Sequence, residues 1–347
     1  MRILVTATLD DWGIEYLGRY GEVSYQGFGD QKRLLAGRKL IRALEGVDVF
    51  VTEVDQVRAR VLGGVDRLRV IACCRADPVN VDVDAATEKG IPVLNAPGRN
   101  AHAVADLTIA LILMSLRNVS QAMDLLKQRD GPQGMVKMAV AFFGLKGHEL
   151  WGKTVGIVGL GAVGREVAKR LRGFDAERVV YDPYVSPDTV ESLGGRCVDL
   201  DTLLREADVV TLHAAATDES RGMLGRREFG VMNPNCHLIN TARAELVDED
   251  ALYEALTENT IAGAALDVFV DEPPPADHRL LQLPNVIATP HIGGNTHEIA
   301  IHQSRIVVSD LERLFRGDRP LFVVNPSTLK SFCWPEEDSS GFEQVIT

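Results

Sequence analysis

The chain has 347 residues, of which 46% are hydrophobic and 25% charged, with a formal net charge of −12. That length suits two domains, and the composition is that of an ordinary globular protein. The acidic balance speaks against a nucleic-acid or anionic-membrane partner, either of which needs a basic face, and reads as a solubility feature.

The N-terminus, Met1-Arg2-Ile3-Leu4-Val5-Thr6, opens directly on a strand and lacks the long apolar run of a signal peptide. Strands are predicted at Ile3–Thr6, Asp48–Thr52, Leu68–Cys73 and Pro92–Asn95, alternating with helical or loop segments. About 150 residues thus form an α/β unit before any cofactor motif. From His102 to Arg129 runs a long helical segment with Val104, Leu107, Ile109, Leu111, Leu113 and Leu116 on more than one side. Such a distribution predicts burial between domains or between subunits. Its apolar stretch, Leu107 to Met114, is too short to cross a membrane. The five cysteines form no C-x-x-C pair or metal-ligand spacing, and Cys73, Cys74 and Cys236 lie in apolar runs. Buried reduced thiols and a cytoplasmic location are expected, with no metal site.

Next comes Thr154-Val155-Gly156-Ile157-Val158-Gly159-Leu160-Gly161-Ala162-Val163-Gly164, an apolar strand followed by glycines at G-x-G-x-x-G spacing and then a helix. Gly159 permits a tight turn, Gly161 lets a pyrophosphate approach the backbone, and Gly164 lets the helix pack close to the strand. The helix N-terminus, with Ala162 and Val163, offers free N–H groups to phosphates. The following strand, Arg178 to Asp182, ends in an acid 18 positions beyond Gly164. A carboxylate there accepts from the ribose hydroxyls and repels a 2′-phosphate, so NAD is the expected cofactor. Further strands at Asp208–Leu212, His237–Asn240, Ala262–Asp267 and Val286–Thr289 have the rhythm of a doubly wound parallel sheet. A last helix, about Glu298 to Phe315, is expected to return to the first domain, and residues 331–347 read as a polar tail.

Three predicted strand ends carry polar groups, where ligands gather in open α/β sheets. They are Asn240-Thr241-Ala242-Arg243, Asp267-Val268-Phe269 running on to Glu272-Pro273, and Thr289-Pro290-His291-Ile292-Gly293-Gly294. Taken singly, the arginine reads as a surface cation, the acids as a solvated loop, and the histidine as structural. Taken together they fit hydride transfer at a 2-hydroxy acid. Arg243 offers a planar fork for a carboxylate, and His291 offers a group that exchanges protons near neutrality. A carboxylate such as Glu272 would fix the histidine's tautomer and favour its charged form.

In these motifs the sequence resembles the D-isomer-specific 2-hydroxyacid dehydrogenases. The resemblance runs from about Leu62 to Phe322 and includes Asn80-Val81-Asp82, Gly90-Ile91-Pro92-Val93, Asn95-Ala96-Pro97-Gly98, Leu212-His213 and Leu246-Val247-Asp248. It implies an α/β fold of two doubly wound parallel-sheet domains, a Rossmann NAD-binding domain inserted in a flavodoxin-like substrate domain. The implied segments are 1–101 and 298–330 for the substrate domain and 102–297 for the NAD-binding domain. It also implies closure about hinges near residues 101 and 297, a homodimer built on the nucleotide domain, and a small 2-hydroxy or 2-oxo acid as partner. Arg243, Glu272 and His291 would be the catalytic trio. Cofactor contacts are implied at His213, Ala214, Thr217, Thr241, Ala242, Asp267 and Gly293.

Departures from the family pattern bear on specificity. Where many relatives have Gly-Val-Gly to hold the carboxylate, this chain has Arg75-Ala76-Asp77 and then Pro78, which has no N–H. Arg75 can compensate with its side chain, or Arg75 and Asp77 can form a surface pair. Glu53 and Asp55 stand where phosphoglycerate dehydrogenases carry phosphate-binding arginines, so they disfavour a phosphate and suit a hydroxylated tail. Arg99 is the second candidate for an anion contact in that region. Ala215 stands where the family often has proline, and Ala244 where it has glycine. No amino-acid-sensing domain is expected after residue 330. The reading is an NAD-dependent D-2-hydroxyacid dehydrogenase, with an NAD(H)-sensing, corepressor-like binding protein as the alternative on the same fold.

Overall fold

Short apolar runs become parallel strands because both faces of each strand are covered by helices, so successive residues are buried alternately on opposite sides. The computed structural model describes residues 1–127, 131–332 and 334, and the rest of the polar tail lies outside the described residues. It divides into two units, residues 1–99 with the chain from Thr296 onward, and residues 100–295.

The first unit holds five parallel strands, β1 (Arg2–Val5), β2 (Glu22–Tyr25), β3 (Val49–Thr52), β4 (Val70–Cys73) and β5 (Val93–Leu94). Their order is β2-β1-β3-β4-β5, the flavodoxin-like arrangement. In β3, Phe50 joins Leu4, Leu40, Leu62 and Ile71 on one face. Its neighbours Val49 and Val51 join Ile3, Val5 and Ala72 on the other, where Val307, Leu311 and Phe315 of the Ile299–Phe315 helix close the core. Asp310 of that helix accepts the backbone N–H groups of Leu321 and Phe322, which fixes the return of the chain.

The second unit holds seven parallel strands: β6 (Thr154–Val158), β7 (Glu177–Tyr181), β8 (Arg196–Cys197), β9 (Val209–Leu212), β10 (His237–Asn240), β11 (Gly263–Leu266) and β12 (Val286–Ala288). The order β12-β11-β10-β9-β6-β7-β8 reverses direction between β6 and β9, and the crevice beyond their carboxyl ends is where a dinucleotide binds in such sheets.

The expected long helix from His102 to Arg129 is instead two helices, Ala101–Leu116 and Val119–Lys127. They are separated at Asn118, whose φ of 52° cannot continue a right-handed helix. The first helix does not need a neighbouring domain to bury its several apolar sides. Ala105, Ile109, Leu111, Ile112 and Leu116 pack with Val155, Ile157 and Val167 in the core of its own unit. Among the described residues no single helix is long and apolar enough to cross a membrane.

Candidate active site

The fingerprint loop is shaped by contacts that only glycine tolerates. Gly159 has φ of +91°, and a Cβ there would stand 2.6 Å from the Ala214 backbone nitrogen. A Cβ at Gly164 would meet the Gly159 carbonyl at 2.2 Å, so the helix can approach the strand only without a side chain. No described residue would come within 4 Å of a Cβ at Gly161, which leaves open space over the start of the Ala162–Leu171 helix. The helix has no side-chain cap, so its first N–H groups remain available for an anion. Asp182 accepts the Leu160 N–H at 2.7 Å and the Tyr184 N–H at 2.9 Å, which pins the carboxylate beside the loop. These features fit a dinucleotide: a dipole end for the pyrophosphate, an open approach, and an acid with lone pairs left for ribose hydroxyls.

His213 follows β9, and its Nε2 meets the Thr211 hydroxyl at 2.9 Å while buried Nδ1 has no partner among the described residues. Burial drives its pKa down to about 3, so the ring is neutral. Thr241 is buried and shares a 2.9 Å hydrogen bond with Thr108, whereas Thr217 is on an exposed loop closed by Ser220. Buried Asn240 donates to the Arg243 carbonyl and accepts from the Ala242 N–H, folding the segment that presents Arg243. The Arg243 guanidinium donates to the Ala242 carbonyl at 2.7 Å and makes no ion pair among the described residues. Asn240 belongs to a motif in the sequence, but its organising role is visible only in its hydrogen bonds.

The other two strand ends are bound into one construction. Buried Asp267 accepts the Thr289 hydroxyl at 2.6 Å and the backbone N–H groups of Ile292 and Gly293 at 2.9 and 2.8 Å. The clamped loop holds His291 at φ of 54°, a conformation non-glycine residues seldom adopt. Its Nδ1 lies 2.7 Å from Glu272 Oε2, while Glu272 Oε1 accepts the Phe269 N–H at 3.2 Å. A carboxylate there accepts a proton-bearing Nδ1 and leaves Nε2 turned to other chemistry. Asp267 thus serves the loop as well as standing where the sequence placed a cofactor contact.

The residues that the sequence analysis assigned to the substrate lie near the carboxyl ends of the first unit's strands. Arg75 follows β4, and its side chain makes no ion pair among the described residues, so the alternative of an Arg75–Asp77 surface pair is not seen. The loop is held instead through backbone. The Ala96 N–H donates to the Arg75 carbonyl, and the Asn95 amide donates to the Ala76 carbonyl. Ala76 and Asp77 are exposed. Burial pushes the Cys73 thiol up to about 12, opposed by the charges of Arg75 and Arg99. Glu53 is paired with Arg99 at 2.7 Å. Asp55 corrects the expectation of a second acid facing a substrate tail. It is 1% exposed and accepts from the Thr6 and Thr52 hydroxyls and the Leu35 N–H. Two threonines and a backbone donor satisfy it inside the core.

Residues 109–293 match the family described as D-isomer specific 2-hydroxyacid dehydrogenase, NAD binding domain. The chain belongs to this family. It is 36% identical to the glyoxylate reductase of Thermococcus litoralis, over 95% of this chain and 98% of that one. To the D-3-phosphoglycerate dehydrogenase of Methanocaldococcus jannaschii it is 38% identical, over 94% of this chain but 59% of the longer relative. The apo-structure of D-lactate dehydrogenase from Escherichia coli superposes with a TM-score of 0.72 at 28% identity, covering 93% of this chain and 100% of that one. The chain is accordingly an NAD-dependent oxidoreductase of the 2-hydroxyacid dehydrogenase type. Nothing among these relatives supports the cofactor-sensing alternative.

Proposed function

We propose that this enzyme reduces a small 2-oxo acid with a polar, unphosphorylated tail to the D-2-hydroxy acid, with Arg243, Glu272 and His291 as its catalytic residues. The single observation that carries the reading is the 2.7 Å His291–Glu272 pair, on a loop clamped by Asp267 in the unit that bears the fingerprint. Bound NADH supplies the hydride that reaches C2. Arg243 holds the substrate carboxylate and polarises the keto oxygen, having no ion-pair partner among the described residues to neutralise it. Glu272 keeps the proton on Nδ1, and His291 Nε2 donates its proton to the oxygen as the hydride arrives. Oxidation runs through the same groups in reverse. Gly159, Gly161, Ala162, Val163, Gly164 and Asp182 hold the dinucleotide. Asp182 disfavours a 2′-phosphate, because Tyr181-Asp182-Pro183-Tyr184 contributes no cation.

Arg75, which makes no ion pair among the described residues, binds the common carboxylate on the side where Pro78 removes a backbone donor. The test is a panel of 2-oxo acids assayed for NADH and NADPH consumption. Turnover of monocarboxylic 2-oxo acids with NADH preferred is expected; equal or better use of NADPH contradicts the role given to Asp182.

We also propose a cytoplasmic homodimer joined through the NAD-binding unit. Cys73, Cys74 and Cys236 are buried free thiols, suited to a reducing compartment. Phe142 and Phe143, each 71% exposed, stand with exposed Met135, Val136 and Met138 on one segment, an apolar surface larger than scattered side chains make. Sedimentation velocity of wild type against Phe142→Glu should show a dimer that the charge dissociates; a monomeric wild type at micromolar concentration contradicts it.

A further inference from the structure

Near the carboxyl ends of the first unit's strands, three side chains from distant parts of the chain close a ring of hydrogen bonds. Glu53 follows β3, Arg99 lies beyond β5, and Gln303 belongs to the Ile299–Phe315 helix. Arg99 Nη1 donates to Glu53 Oε1 at 2.7 Å and to Gln303 Oε1. Gln303 Nε2 returns to Glu53 Oε2 at 3.3 Å and to the Thr8 carbonyl at 2.5 Å. Gln303 is fully buried, whereas the Arg99 and Glu53 side chains retain 15% and 18% exposure. The remaining donors of Arg99, Nε and Nη2, have no hydrogen-bond partner among the described residues.

This edge therefore holds a guanidinium with unused donors whose charge is cancelled by an acid held in place. A fully buried amide that accepts from one ion and donates to the other is suited to fixing the pair's geometry. Free of Glu53, Arg99 would be a partly buried cation with a fork open to a second carboxylate. We propose that Glu53, locked onto Arg99 by Gln303, is a charge gate that neutralises the Arg99 side of the substrate edge, leaving Arg75 for the common carboxylate, and so excludes 2-oxo acids bearing a second anionic group. Gln303 is the positioning residue and Glu53 the specificity-determining one. The inference rests on the 2-oxo acid reductase reading and sharpens its substrate class to monoanionic acids.

The test uses the full chain and compares wild type, Glu53→Gln and the double variant Glu53→Gln/Arg99→Gln. For NADH-dependent reduction, the ratio of kcat/KM for oxaloacetate to that for pyruvate should rise roughly tenfold in Glu53→Gln, as expected for unmasking one partly buried charge. It should return towards the wild-type value in the double variant. An unchanged ratio in folded Glu53→Gln, or a rise that survives loss of Arg99, overturns the gate. If wild type reduces no 2-oxo acid, the reductase reading fails by itself, and calorimetry with malonate still decides the gate. Malonate should bind more tightly to Glu53→Gln than to wild type or to the double variant, and equal binding to all three refutes it. Should Glu53→Gln not fold, Glu53→Ser removes the same charge and carries the same comparison.

Discussion

The two units are both parallel sheets with polar groups at their strand ends, yet they hold several of these groups by different means. In the NAD-binding unit the key carboxylates face backbone. Asp182 takes Leu160 and Tyr184 N–H groups, Asp267 takes Ile292 and Gly293, and Glu272 takes Phe269. After β3 of the first unit side chains take the larger part: Glu53 is held by Arg99 and Gln303, and Asp55 by Thr6 and Thr52 together with the Leu35 N–H. Backbone donors come with the loop and hold a carboxylate whatever its neighbours become. Side-chain partners can be exchanged one at a time. The difference suits a division of labour in which one unit keeps the chemistry and the other sets which tail is accepted.

That comparison can be broken at its strongest point first. His291→Ala should lower kcat by ~10²–10⁴-fold, the usual worth of a positioned general acid, while the NADH dissociation constant measured by fluorescence titration stays near wild type. A parallel loss of cofactor affinity would place His291 in the nucleotide site instead. The gate substitutions described above should shift substrate preference by roughly tenfold. The smallest effect concerns acid stability. Burial lowers His213 to about 3 and His237 to about 4 in the folded NAD-binding unit, against an ordinary value of 6.5. The unfolded chain therefore takes up these protons first. Their contribution is intact above pH 6.5 and is lost progressively as pH falls from there towards 4 and then 3. Thermal melts between neutral and mildly acidic pH should show Tm falling, and His213→Asn should fall less; an identical slope in that variant contradicts a neutral His213 ring.

Sequence alone revealed what is local. Strands such as β3 and β9 are buried runs whose residues announce themselves, and the His291 and Glu272 motifs needed only to be brought together by parallel strand ends. The edge strand β8 (Arg196–Cys197) was missed because it is exposed and has no apolar run, and β2 because only alternate residues are half-buried. The break at Asn118 left the apolar pattern on either side continuous. Asp55 was misplaced because an acid after a strand looks alike whether it faces solvent or is capped by Thr6 and Thr52. Gln303 gave no signal at all, since its partner Arg99 is 204 positions away. Specificity was hard to read where it depends on such distant pairs.

The central claim is that chemistry resides in the NAD-binding unit and is indifferent to the substrate's tail. The most direct test is the ratio of His291→Ala to wild-type kcat, measured with NADH over 2-oxo acids of increasing tail size and polarity. One common loss for every acid that turns over is expected. A loss that varies from tail to tail, or a kcat that His291→Ala leaves unchanged, would contradict the account.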